Sequence, residues 1–272
     1  MRVEKAAGAL GAFVDGDLAR IASGGNFLEM HALLDEYEVL FFRDQVVSAR
    51  EFADLGRRFG TIDVHPAYTT VDAVPDVQIL ESTAEAPTKI EVWHSDMTFR
   101  IEPPSTTLLH AQIVPPYGGD TLWASARAAY EGLSPAMREM LDGLAAVNDF
   151  SHGFQESLAE PGGRQRLAGA IADNPPVEHP VIRTHPRTGK LSIYVNALFT
   201  TRIRGLARAE SDAILKFLYR HIITEEYTVR LRWAPGTIAM WDNAATQHRP
   251  VNDFFPQHRK MHRITIAGPR PQ

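Results

Sequence analysis

From Tyr227 onward the chain reads as one strand after another, and this does most to limit its possible folds. Tyr227, Val229, Leu231 and Trp233 alternate with Thr228, Arg230 and Arg232, the two-residue period of a half-buried strand. Gly236–Trp241 (GTIAMW) and Lys260–Ala267 (KMHRITIA) supply two more strands. Earlier, Glu38–Arg43 (EVLFFR) is short, apolar and β-prone, and His185–Val195 is a strand entered from a turn at Thr188–Gly189. Three helical regions flank these strands. The first has a capping box at Ser48 and Glu51, a face of Phe52, Leu55 and Phe59, and Gly60 at its end. The second runs from about Ser125 to Leu144 and restarts at Ser134–Pro135, and the third begins near Leu206 and stacks Ile214, Leu215, Leu218 and Ile222. The pattern predicts an α+β fold with helices around a β-sandwich.

With 272 residues, 44% of them hydrophobic, the chain can build one large core, so residues 1–272 are expected to form a single domain. Residues 70–89 and 155–176 show no sustained period and are rich in Pro, Gly, Ala and charge; both are expected to be lid loops over an active site. A net charge of −5 and a pI near 6.1 exclude a phosphate-neutralising surface, hence a nucleic-acid partner. The N-terminus carries charges throughout and lacks the apolar stretch of a signal peptide, and no segment is long and uncharged enough to span a membrane. A cytoplasmic protein without a membrane partner is the expectation.

The chain has no cysteine, which removes thiolate metal sites and cysteine nucleophiles and leaves His, Asp, Glu or water to hold any metal. It also lacks GxSxG, HExxH, GxxxxGK[ST] and GxGxxG, and with them the motif-level case for hydrolases, zincins, P-loop NTPases and Rossmann enzymes. Of eleven histidines, only His94 is followed two positions later by a carboxylate, Asp96. On a strand these two side chains would share a face and could grip one ion, although a structural hydrogen bond competes with that reading. His248, just past the Gly236–Trp241 strand, is a third candidate ligand, and two imidazoles with one carboxylate are the open-faced set of Fe(II) oxygenases. Arg259 and Arg263 would share a face of the last strand and could hold two anions; the competing reading is a pair of solvated surface arginines. His110 is expected to be a packed residue, and Trp93 and Trp241 to pack beside the ligands.

Taken together, WHSDMTF at 93–99, GGDTLWAS at 118–125, YVNALFTTRI at 194–203 and the run from Trp241 to Arg263 resemble the taurine dioxygenase family, which includes 2,4-dichlorophenoxyacetate and alkylsulfate dioxygenases. The resemblance implies a double-stranded β-helix, or jelly roll, with flanking helices and lid loops. It implies that His94, Asp96 and His248 bind Fe(II), that Thr121 and Arg259 bind 2-oxoglutarate, and that O₂ is the second co-substrate. His65, Tyr68, Phe154, Phe199 and Arg263 match substrate-pocket positions. Where taurine dioxygenase has polar groups near the substrate amine, this chain has Ile90 and Gly153, which cannot satisfy an ammonium. The expected reaction is therefore oxidation, by default hydroxylation, of a C–H bond in a small carboxylate, sulfonate or sulfate ester, releasing succinate and CO₂. Desaturation, epoxidation, oxidative rearrangement and a non-catalytic jelly-roll sensor of a small acid stay open at this stage. The resemblance admits a homo-oligomer, but no stripe in the sequence defines an interface.

Overall fold

The computed structural model describes residues 2–23, 27–64 and 68–272. Among them, the largest sheet runs in the order Val3–Lys5, Ala12–Val14, Val39–Phe42, Ile238–Asp242, Thr106–Ile113, Arg259–Ile266, Val74–Ser82, Thr70–Val71. Its pairs are antiparallel except where Ala12–Val14 meets Val39–Phe42. A smaller antiparallel sheet is formed by Thr228–Leu231, Thr121–Ser125 and Thr246–Pro250.

The core lies between the sheets. Trp123, Val229 and Leu231 of the small sheet pack against Val39, Phe41, Leu109, Ala239, Trp241 and Met261 of the large one. On the other face, Leu40, Phe42, Leu108, Ile238, Met240 and Ile264 meet Met30 and Leu34 of the Phe27–Tyr37 helix and Phe52, Ala53 and Leu55 of the Ala49–Phe59 helix. A strand covered on both faces must be apolar at every position, which is why Val39–Phe42 shows no alternation. Burying each such Leu or Phe contributes ~1.5–3 kcal/mol.

The capping box forms as expected: Glu51 N–H donates to Ser48 Oγ at 3.3 Å and Ser48 N–H donates to the Glu51 carboxylate at 2.7 Å. The second helical region is two helices, Ala126–Glu131 and Pro135–Leu141, the latter restarted by Ser134 as N-cap. The helix Arg208–Ile222 buries Leu215, Leu218 and Ile222. The segment 185–195 is the turn and second arm of a hairpin, Ile182–Thr184 with Leu191–Ile193, in which Gly189 takes φ 68°, a left-handed conformation that glycine adopts at no steric cost.

The expected loops carry regular structure. Within 70–89, Val74–Ser82 is a nine-residue strand whose Gln78–Ser82 half pairs with Arg259–Arg263. Pro75 and Asp76, which oppose a strand locally, lie outside both of its registers, so ladder pairing with a neighbouring strand overrides them. Residues 155–176 hold three short helices, Gln155–Ala159, Gly163–Arg166 and Ala168–Asp173, anchored through Leu158 and Leu167 in an aromatic cluster with Met97, Phe99, Phe150 and Phe199. No described helix is long and apolar enough to cross a membrane.

Candidate metal centre

His94 and Asp96 come together differently from the strand expectation. His94 makes an isolated antiparallel bridge with His248, and a turn opens at Asp96, with Met97 at φ 48°. It is this docking onto the far end of the chain that aligns the ligands. His94 N–H donates to His248 C=O at 3.0 Å and His248 N–H to His94 C=O at 2.8 Å; Ser95 Oγ donates to Thr246 C=O at 2.8 Å; Asn243 bonds the backbone of Asp96. Three consecutive residues are thus fastened to the 243–248 stretch that leaves the large sheet and enters the small one.

The side chains converge at the wall of a cavity of about 1000 Å³. Ligand atoms of His94, Asp96 and His248 all lie within 4.8 Å of one another, with Asp96 Oδ1 at 4.0 Å from His94 Nε2 and 3.9 Å from His248 Nε2. His94 Nδ1 is 2.9 Å from the Val92 carbonyl, a contact that takes the N–H there and leaves Nε2 as the lone pair facing the cluster. Burial drives the His248 imidazole down to about 3, His94 and Arg263 push the same way, and Asp96 opposes. Burial also lowers His94, against Asp96 and the Val92 bond. Burial alone would raise Asp96, but Arg263 first, then His248, His94 and the Thr107 hydroxyl, hold it well below the ordinary carboxylate range. Two neutral imidazoles and one ionised carboxylate are the donor set that suits Fe(II).

The other expected residues fall around the same cavity. Thr121, Phe154, Phe199, Arg259 and Arg263 line it, as do Tyr68, Ile90 and Gly153; His65 lies outside the described residues. Arg259 and Arg263 point inward, so the solvated-surface reading fails for both. Arg259 Nε donates to Gly119 C=O at 3.2 Å, its guanidinium lies 5.9 Å over the Trp233 ring, and burial lowers it to about 10, which leaves it cationic at neutral pH. Trp233 Nε1 donates to Thr121 Oγ1 at 3.0 Å, so one indole braces both expected 2-oxoglutarate contacts. Arg263 lies 5.8 Å over the Tyr68 ring, with Nη2 only 2.6 Å from Asp96 Oδ1; its anion in this structure is the candidate ligand itself. Trp233, Thr107 and Asn243 escaped the sequence reading. Asn243 lies in the Trp241–His248 string that carries the resemblance, whereas nothing local marks Thr107.

Among the described residues a second cluster, Asp35, His185 and Asp242, also brings its ligand atoms within 4.8 Å of one another. Arg187 Nη2 lies 2.6 Å from Asp35 and 2.7 Å from Asp242, so a guanidinium already occupies the cation's place. His185 is thereby structural, bonded to Asp242 at 2.9 Å. His110 is packed against Phe52 and bonded to Gln112, and Trp241 lies 4.8 Å from the His248 ring.

The sequence profile of the taurine catabolism dioxygenase TauD, TfdA family matches residues 2–265. The chain belongs to that family. It is 33% identical to an alkylsulfatase of Acinetobacter baylyi, over 98% of this chain and 85% of that protein. It is also 33% identical to an alpha-ketoglutarate-dependent sulfate ester dioxygenase of Pseudomonas putida, over 99% and 90%. The crystal structure of a taurine dioxygenase from Burkholderia xenovorans superposes with a TM-score of 0.84 at 32% identity, covering 99% of this chain and 90% of that one. This TauD/TfdA member is an Fe(II)- and 2-oxoglutarate-dependent dioxygenase with the double-stranded β-helix core that the resemblance implied.

Proposed function

We propose that His94, Asp96 and His248 hold the iron, that Arg259 and Thr121 receive 2-oxoglutarate, and that the enzyme hydroxylates a small carboxylate, sulfonate or sulfate ester with an apolar body. The observation that carries this reading is the convergence of the three donors on a cavity whose wall also bears Arg259 and Arg263. When bound, iron(II) with 2-oxoglutarate and O₂ supplies the oxidant for the substrate C–H bond, with succinate and CO₂ released. The chain's own groups do the rest. His94 and His248 offer neutral nitrogens, and Arg259 sits on its indole brace as a fixed cation for a distal carboxylate. Arg263 and Tyr68 face the space beside Asp96, where an anionic head group would be held.

In this reading the substrate body meets Leu80, Ile90, Phe154, Leu198 and Phe199, the apolar part of a cavity whose lining also includes Glu81, Glu91 and Glu156. The named activities of the A. baylyi and P. putida relatives agree with an anionic head on an apolar tail. Residues 83–92 and the helices of 155–173 serve as covers: Lys89 pairs with Glu160, which also holds Arg166 at 2.8 Å. The whole chain, 1–272, serves this one site as a single domain. The test is succinate release at matched iron and 2-oxoglutarate, comparing taurine with alkyl and aryl sulfates, sulfonates and carboxylates. The expected result is at least about a tenfold kcat/KM preference over taurine, the cost of an unpaired buried charge. Taurine as the best substrate would overturn the tail-pocket reading.

A further inference from the structure

Asp96 is anchored at two points that no metal requires. Its main chain is clamped by one side chain: the Asp96 N–H donates to Asn243 Oδ1 at 2.6 Å, and Asn243 Nδ2 donates back to Asp96 C=O at 3.0 Å and to Pro104 C=O at 2.9 Å. Its carboxylate is then divided. Oδ2 accepts the Thr107 hydroxyl at 2.7 Å, and Oδ1 lies 4.0 Å from His94 Nε2, 3.9 Å from His248 Nε2 and 2.6 Å from Arg263 Nη2. Thr107 and Asn243 are fully buried. The Thr107 backbone is fixed in mid-sheet, opposite Trp241 on one side and Thr265 on the other, so its hydroxyl cannot follow a carboxylate that rotates.

We infer that Thr107 and Asn243 are positioning residues that make Asp96 a one-oxygen ligand, with Asn243 fixing where the carboxylate stands and Thr107 fixing which oxygen it presents. The inference rests on the metal-site reading proposed above. Its consequence is chemical. A carboxylate free to swing can chelate through both oxygens, and the second would compete with the 2-oxo acid for the open face that a two-histidine, one-carboxylate set leaves on the ion. A hydroxyl bonded to Oδ2 withholds that oxygen, because rotation into a chelating pose leaves the buried hydroxyl without its acceptor. Thr107 therefore protects the co-substrate's coordination positions, whereas Asn243 protects the affinity for the metal.

These roles separate experimentally. Thr107→Val replaces the hydroxyl with a methyl group, and Thr107→Ser keeps it. Apoprotein is titrated with Co(II), and the loaded protein is then titrated with 2-oxoglutarate without oxygen or substrate. Outer-shell partners of a ligand typically alter binding about 10–100-fold. Thr107→Val should hold Co(II) at least as tightly as the parent while its 2-oxoglutarate dissociation constant rises about tenfold, with an altered Co(II) visible spectrum; Thr107→Ser should match the parent in all three. Asn243→Asp, which keeps the acceptor and loses both donors, should weaken Co(II) about 10–100-fold. Unchanged 2-oxoglutarate binding in Thr107→Val overturns the inference, as does equal loss of both ligands in Thr107→Val and Thr107→Ser alongside a lower Tm. Parental Co(II) affinity in His248→Ala would instead refute the underlying metal-site reading.

Discussion

At Gly153 the missing side chain is the informative part. A Cβ there would lie 2.4 and 2.6 Å from Cε1 and Cδ1 of Phe199, whose ring stands 6.5 Å from that of His94. Glycine ends the Phe150–Gly153 helix, and here it makes room for an aromatic wall of the cavity. Gly153→Ala should push Phe199 from its place, lowering kcat/KM for the bulkiest accepted substrate about tenfold relative to the smallest while leaving Co(II) affinity intact. Succinate release across an alkyl sulfate series checks this, and adding Phe199→Leu should restore the parental profile. The candidate ligands answer to a blunter test. His94→Ala, Asp96→Ala and His248→Ala should each abolish metal-dependent succinate release in a protein that keeps its far-UV CD spectrum; full activity in any of them under limiting iron would remove that residue from the site.

The Arg259–Ile266 strand carries both arginines on the cavity side of the large sheet, so their roles are expected to divide along it. Arg259→Lys loses the planar fork that suits a carboxylate and should raise the 2-oxoglutarate requirement about tenfold with little effect on metal binding. Arg263→Lys should instead raise KM for the prime substrate. A fall in thermal stability with substrate KM unchanged would show that Arg263 serves mainly to neutralise Asp96. Far from the site, Ser48→Ala should cost about 1 kcal/mol in urea unfolding through loss of the helix cap and leave turnover unchanged. Elements with strong local signals were readable in the sequence: the Ser48–Glu51 box, the Ser134–Pro135 restart and the apolar Val39–Phe42 run each declare themselves within a few residues. The Val74–Ser82 strand was hidden because Pro75 and Asp76 dominate its local signal, while its stability comes from pairing with residues far along the chain. The spacing of His94 and Asp96 pointed to two side chains that do converge, but for another geometric reason, since their alignment comes from bonds to 243–248 and a turn at Asp96 rather than from a strand. The 2.6 Å approach of Arg263 to the Asp96 carboxylate was not legible, because no sequence rule brings together two side chains so far apart along the chain.

Across the whole molecule, buried histidines set the acid limit of stability. Burial, reinforced by His262, lowers His110 to about 4, against a backbone bond from Gln45, and His31, His94, His179, His248 and His262 shift in the same direction. In the unfolded chain these groups charge near pH 6.5, whereas in the fold they resist charging. The unfolded state therefore binds more protons as pH falls through that window, and stability falls with it. Glu38 opposes this trend: burial, against Arg127 and Ser125, raises it to about 7, so from about pH 7 down to its unfolded value the fold holds a proton that the unfolded chain has lost. Urea unfolding of the metal-free protein should show declining stability from pH 7 to pH 4. His110→Gln should remove on the order of 2 kcal/mol of that decline, and Glu38→Gln should steepen it; a His110→Gln slope equal to the parent's would refute the assignment. One further consequence follows from the bonds that fasten residues 94–96 to 243–248. They are made by backbone, Ser95 and Asn243, and none involves Ile90, Gly153, Phe154, Leu198 or Phe199 on the cavity wall. Under the proposed assignment, the candidate metal ligands and the proposed substrate wall are therefore fastened by separate sets of residues, and a lineage built on this scaffold could change its substrate one wall residue at a time without touching the bonds that align the ligands.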